Sequence, residues 1–193
     1  KMKMNKFVFV LISFVLIYSC KEETFYPKPL GHFRIDFPKT DSLVSYSGPC
    51  NYTYDYPFFA VVQDKDNCNQ DIHFPYYNAV VHITSIKIDG IGNNTLFYHS
   101  EYSRKLAYEH RIKADAINES IYSNDSSRVY GVAYEILGNV ASNYQFFLTD
   151  SNENFYRGSL YFNSRPDIDS VRPVLNFLKE NIEGMIETFD WKE

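Results

Sequence analysis

VYGVAYEILGNVASNYQFFLTDSNENFYRGSLYFN, residues 129–163, is the stretch on which the fold turns. Three aromatic-rich runs lie in or beside it, at Arg128 to Leu137, Tyr144 to Thr149 and Phe155 to Phe162. Gly138-Asn139 and Asp150-Ser151-Asn152 punctuate them. Connections this short join neighbouring strands that run antiparallel, because a parallel return needs a crossover of a dozen or more residues. The stretch therefore predicts an antiparallel meander.

Upstream of the meander, Ala114 to Tyr122 reads as a helix end followed by a short strand, and Ser123 to Ser126 as a turn. Thr95 to about Lys113 predicts a helix with Thr95 as its N-cap, uninterrupted by Gly or Pro. Tyr98, Tyr102, Leu106 and His110 lie four apart on one stripe of it, flanked by Ala107. Ala79 to Ile88 alternates as a long strand, with Val81 and Ile83 on one face and Val80, His82, Thr84, Ile86 and Ile88 on the other. Shorter strands are predicted at Ile72 to Phe74, Phe58 to Val62, Tyr52 to Tyr56 and His32 to Phe37, and a polar connection at 39–49.

Downstream, Val171, Val174, Leu175, Leu178, Ile182, Met185, Ile186 and Phe189 follow the i, i+3, i+4, i+7 rule. They predict a helix, capped by Asp169 or Ser170, with Pro173 tolerated in its first turn and one apolar stripe laid flat on the sheet. Strands, one helix, a meander and a second helix give an α+β class: a single domain whose antiparallel sheet is packed by two main helices. The order resembles the Mog1/PsbP-like sandwich, as an analogy of fold.

The N-terminus carries a different signal. Lys1, Lys3 and Lys6 precede an uncharged run, Phe7 to Ile17, which ends at Tyr18-Ser19-Cys20. A basic start, a short apolar run and a small residue before a break describe a secretory signal. The run is short of the ~20 residues that cross a bilayer as a helix. Its end resembles the bacterial lipobox, which makes residues 1–19 a signal peptide and Cys20 the lipid-bearing (palmitate-type) first residue of the mature chain. The competing reading is a retained membrane helix with an incidental cysteine. Residues 20–31 form a lipidated tether stiffened by Pro27 and Pro29, and 32–193 form the domain. Glu22-Glu23 partly resembles acidic patches that send lipoproteins of Bacteroidota to the cell surface, and equally suits a solvated linker.

The chain has 193 residues and a net charge of −5; removal of residues 1–19 leaves 16 basic and 24 acidic residues, a net of −8. No Lys/Arg cluster offsets this, so no nucleic-acid partner is expected and anionic headgroups are poor candidates. With Cys20 committed to lipid, Cys50 and Cys68 remain. Two thiols in an oxidising compartment predict a structural disulfide, against a free or redox-active pair. Tyr and Phe number 17 and 16, which suits an aromatic core in a sheet-rich fold and also wet, partner-facing surfaces.

Reaction-bearing motifs are absent. There is no phosphate-cradling G-x-x-x-x-G-K-[ST], no G-x-S-x-G and no H-E-x-x-H. The chain is therefore expected not to be an enzyme and to carry no cofactor and no metal site. His73 and His82 on neighbouring strands suit either a metal pair or ordinary structural histidines. The loops starting at Asp64 and Asp150 lack the glycine and the terminal acid of a calcium loop and read as turns. Asp41-Ser42-Leu43 is similar to short O-glycosylation sites of Bacteroidota, with Ser42 as acceptor; Asp169-Ser170-Val171 is too, but serves as a helix cap.

Segments YPKPLGHFRIDFP (26–38), CNYTYDYPFFA (50–60), IKADAINE (112–119), the 129–163 run and ETFDWK (187–192) together resemble the gliding motility lipoprotein GldD family of the Bacteroidota. Cys20, Cys50 and Cys68 fall where that family has cysteines, while Asn69 departs from an expected aromatic. The resemblance implies a lipid-anchored protein of the cell envelope, outside the cytoplasm, that is required for gliding and acts with the type IX secretion machinery as an accessory or assembly factor. It carries over no catalytic residue. The loop from Gly138 to Ser142 and Arg157 lie in the most family-like stretch; Arg157 reads either as a partner contact or as a solvent-side residue. The alternative function is a cell-envelope small-ligand-binding protein or enzyme, built around His73 or His82 with carboxylates.

Overall fold

The computed structural model describes residues 35–38, 42–163 and 168–192. The chain divides into a unit over residues 1–33, outside the described residues, and a compact unit over 34–193. Among the described residues, ten strands and two α-helices occupy the second unit. In chain order they are β1 (Leu43–Tyr46), β2 (Tyr52–Pro57), β3 (Val61–Asp64), β4 (Gln70–Phe74), β5 (Ala79–Lys87), α1 (Leu96–Tyr108), β6 (Ala114–Asn124), β7 (Val129–Gly138), β8 (Tyr144–Thr149), β9 (Asn154–Phe162), α2 (Ile168–Glu187) and β10 (Asp190–Trp191). All pairings are antiparallel, in a seven-stranded sheet ordered β3-β4-β5-β9-β8-β7-β6 and a three-stranded sheet ordered β1-β2-β10. The class is α+β, as the sequence predicts, and the meander forms β7, β8 and β9.

The large sheet is covered on both faces. On one face Ile72, Val81, Ile83, Phe146, Leu148, Tyr156 and Leu160 meet the tyrosines of β1 and β2 and the apolar stripe of α2 (Leu175, Leu178, Ile182, Met185, Ile186) in the main core. The alternation of β2 puts Tyr52 and Tyr54 inside, both fully buried. Tyr52, Tyr156 and Phe189 form a ring cluster with centroids 4.9–5.6 Å apart. Gly158 lies under Phe146, where a Cβ would approach that ring to 2.3 Å. On the opposite face, Tyr134, Ile136, Phe147 and Phe155 pack against α1 through Ala107 and Leu96.

Several elements differ from the sequence reading. α1 has the predicted N-cap, Thr95 Oγ1 accepting from the Tyr98 amide at 3.2 Å, but its buried residues are Ser103 and Ala107. Tyr98 and Tyr102 face outward. The small pair lets the helix approach the sheet closely, which rings at those positions would prevent. Residues 109–112 form a 3-10 turn, not further helix, and β6 is an eleven-residue strand. The polar connection at 39–49 contains β1, recruited by pairing with β2. Ile35 to Pro38 have no regular structure, although Phe37 stacks on Phe177 at 4.5 Å; residues 32–34 of the predicted strand lie outside the described residues. Phe58 and Phe59 form a turn, and β3 starts only at Val61.

Cys50 and Cys68 are bonded, with their Cα atoms 5.6 Å apart. The bridge joins the start of β2 to the β3–β4 turn. Beside it, Tyr52 Oη donates to the Cys68 carbonyl at 2.8 Å. The sequence separation of 18 sets the expected effect. Replacing both cysteines by serine should lower the unfolding free energy by about 3 kcal/mol. A urea midpoint unchanged from wild type, under conditions that keep the wild-type bridge intact, would show that the bridge contributes nothing.

Candidate functional site

Five chain segments end at one edge of the fold and enclose a polar cleft of about 590 Å³. Asn51 precedes β2, Lys87 ends β5, and Ser126, Ser127 and Arg128 form the β6–β7 turn. Asp150, Glu153 and Asn154 form the β8–β9 turn, and Asp190, Trp191 and Lys192 come from β10 and the residue after it. A volume of this order suits a small molecule.

Hydrogen bonds fix the walls. Asp150 Oδ1 accepts from the backbone amides of Asn152, Glu153 and Asn154 at 2.9–3.0 Å, and its Oδ2 accepts from Asn154 Nδ2 at 2.6 Å. This is the turn role anticipated for Asp150. Asn51 Nδ2 then donates to Asn154 Oδ1 at 2.7 Å, tying the small sheet to the large one. Lys192 donates from Nζ to the Gly48 carbonyl at 2.7 Å and from its backbone amide to the Asn51 carbonyl at 2.8 Å. Lys87 Nζ lies 3.0 Å from Glu153 Oε2. Arg128 sits in the left-handed backbone region, at φ 50°, which is uncommon outside glycine and asparagine. Two atoms of the lining residues are buried without a protein partner among the described residues: Trp191 Nε1 and Ser127 Oγ.

The residues singled out from the sequence are elsewhere. Cys20 lies outside the described residues. Cys50 forms its disulfide one residue from Asn51. Arg157 is half-buried on the α1 face of the sheet, donates from Nη2 to Gln145 Oε1 at 2.8 Å, and has its pKa pulled down by burial. In the Gly138–Ser142 loop, Val140 and Ser142 are buried, Asn139 and Ala141 are exposed, and Gly138 has φ 112°. Ser42 is exposed, and its carbonyl accepts from the Phe58 amide.

His73 and His82 are not opposite each other. The β4–β5 register pairs Asp71 with His82 and His73 with Val80. Asp71 takes His82 Nδ1 at 2.7 Å on one oxygen, and Lys65 and the more distant His73 on the other. Burial would raise the Asp71 pKa, but the hydrogen bonds from Lys65 and His82 outweigh it and hold the carboxyl below its usual range. Ser159 is the partner of His82 on the far side, yet its Oγ makes no hydrogen bond among the described residues. Among the described residues, no group of three or more His, Cys, Asp or Glu is arranged to hold a metal ion. Asp64 accepts from Tyr46 Oη and Gln70 Nε2, again a structural role.

A disulfide in an α+β domain of this kind marks a protein of an oxidising compartment outside the cytoplasm. The model of the gliding motility lipoprotein GldD family matches residues 22–191, and the chain belongs to that family. It is thus a membrane-anchored lipoprotein of the cell envelope with a role in gliding motility. No curated protein matches it. No helix among the described residues is long and apolar enough to cross a membrane.

Asp150 gives the site a pH signature. Its burial would raise its pKa, but the amide and Asn154 hydrogen bonds outweigh this and hold it below the usual carboxylate range. A folded-state pKa below the unfolded value of about 3.9 gives stability that is present above that pH and lost as pH falls through the folded value. Asp150→Asn should therefore cost about 2 kcal/mol at neutral pH. The gap from wild type, read from urea midpoints, should close as the pH falls below about 4. A gap constant with pH would show that the carboxylate charge is not what these amides hold.

Proposed function

We propose that the chain is a tethered accessory factor, without catalytic activity of its own, that holds or matures protein components of the gliding apparatus and of the type IX secretion machinery. Family membership supplies the gliding context. The observation that supports a partner-holding role is the outer surface of α1. Phe97, Tyr98 and Tyr102 are 78%, 40% and 46% exposed on the side away from Ser103 and Ala107, and Ile112 just beyond the helix is 88% exposed. Tyr98 and Tyr102 stack at 6.1 Å with their planes 4° apart. Rings ordered in this way bury large area on docking at low entropy cost and are enriched in interface cores. Their exposure is also why the helix is read poorly from its apolar pattern: its aromatics serve the outside.

The second reading, a binder of a small ligand, is favoured by the cleft at the opposite type of surface, polar and concave. The two readings are compatible, because the surface of α1 and the cleft share no residue.

The test is a crosslinking pull-down from gliding cells, comparing wild type, Cys20→Ala and Tyr98→Ala/Tyr102→Ala. Wild type should recover gliding or secretion components. Loss of the anchor should abolish recovery, and the tyrosine pair should reduce it roughly tenfold, equivalent to 1.4 kcal/mol. Recovery of none by abundant, folded wild type would overturn the accessory role and leave the ligand-binding one.

A further inference from the structure

We propose that the cleft between the β6–β7 turn, the β8–β9 turn and β10 is a binding site for a neutral saccharide. The argument starts from charge. Lys87, Arg128 and Lys192 are balanced by Asp150, Glu153 and Asp190. A polyanion would meet three carboxylates there, and a polycation three cationic side chains. Most of these charges are also already engaged. Lys87 is paired with Glu153, Lys192 with the Gly48 carbonyl, and Asp150 with four N–H donors. What the cleft has left is one charge of each sign, on Arg128 and Asp190, so it favours neither an anion nor a cation.

Its unused groups are hydrogen-bonding ones. Trp191 Nε1 and Ser127 Oγ are not among them, since both atoms are sealed from solvent and so from a ligand in the cleft. The Arg128 guanidinium makes no ion pair among the described residues, and its fork of N–H donors suits a pair of adjacent hydroxyl oxygens. A sugar presents hydroxyls that donate and accept, together with an apolar ring face.

Trp191 is the lining residue suited to that face. Its indole is braced edge-on by Phe189 at 4.8 Å and by Tyr52 at 6.5 Å. It is the one large aromatic in an otherwise polar wall, which disfavours a lipid or another mainly apolar ligand. The amides of Asn51 and Asn154 are locked by their mutual bond and by Asp150. Rigid amides, one braced indole and the Arg128 fork form a preorganised site for a neutral, hydroxyl-rich ligand.

Trp191 is the only tryptophan of the chain, so its emission reports this cleft alone. The full-length lipoprotein, in a detergent without a sugar headgroup, is titrated with maltotetraose, mannotetraose and chitotetraose. At least one should shift or quench the emission saturably, with a Kd at or below the millimolar range. Arg128→Gly removes the guanidinium while relieving the left-handed backbone, so it should fold normally and weaken binding roughly tenfold. No saturable change with any of the three up to about 10 mM, ten times a millimolar Kd, would overturn the proposal. So would binding unaffected by Arg128→Gly, or a saturable response confined to phosphate or to glycylglycine, which would assign the cleft to a charged ligand.

Discussion

Three core tyrosines send their hydroxyls to acceptors on one segment, and these bonds organise the structure. Tyr46, Tyr52 and Tyr54 are all buried on the inner face of the small sheet. Burial raises the pKa of each phenol, and neighbouring acidic groups add to this in all three, so all three are neutral donors throughout the ordinary pH range. Their acceptors come from one segment. Tyr46 donates to Asp64, Tyr52 to the Cys68 carbonyl and Tyr54 to Gln70 Oε1, while Gln70 Nε2 donates to Asp64. The β3–β4 hairpin is therefore held against the small sheet by polar bonds inside an apolar setting, where they are strong and costly to break. The disulfide lies beside this network and ties the same two segments covalently.

From that constraint the two faces of the large sheet acquire different characters. The face toward the tyrosines is filled by aromatics and by the stripe of α2. The other carries a polar row, Asp71, His82, Ser159 and Gln145, in successive registers across β4, β5, β9 and β8. Arg157 stands next to this row and bonds into it through Gln145. α1 covers only the apolar end of that face, around Phe147 and Phe155. Lying there, it is anchored through small residues and free to display its tyrosines outward.

The legible parts of the sequence were those whose signal is local and repeated. The meander announced itself through aromatic-rich runs and short polar connections, and α2 through five turns of unbroken periodicity. The α1 stripe misled because its largest residues serve the surface and its buried contacts are Ser103 and Ala107. β1 and β10 are short strands that exist through pairing with β2, and pairing leaves no trace in four or two residues. The cleft was invisible for the same reason: its residues come from five separated segments, none of which forms a motif. One signal was available. The lone tryptophan falls in ETFDWK, among the segments that resemble the family, with no apolar pattern around it to explain its place.

At the cleft, sequence neighbours divide the work of core and site. Cys50 holds the disulfide, Asn51 reaches Asn154 in the cleft wall, and Tyr52 enters the ring cluster. At the C-terminus Phe189 joins that cluster, while Trp191 and Lys192 line the cleft. Strand alternation separates the inward residues from the others, so each site residue is covalently adjacent to, or ring-packed against, a residue with almost no freedom. The Lys192 amide bonded to the Asn51 carbonyl closes the two segments on each other. A site built in this way inherits the rigidity of the core. A cleft that flexed would lose affinity to the entropy of ordering it, whereas this one is ordered by the same tyrosine and disulfide contacts that make the domain fold.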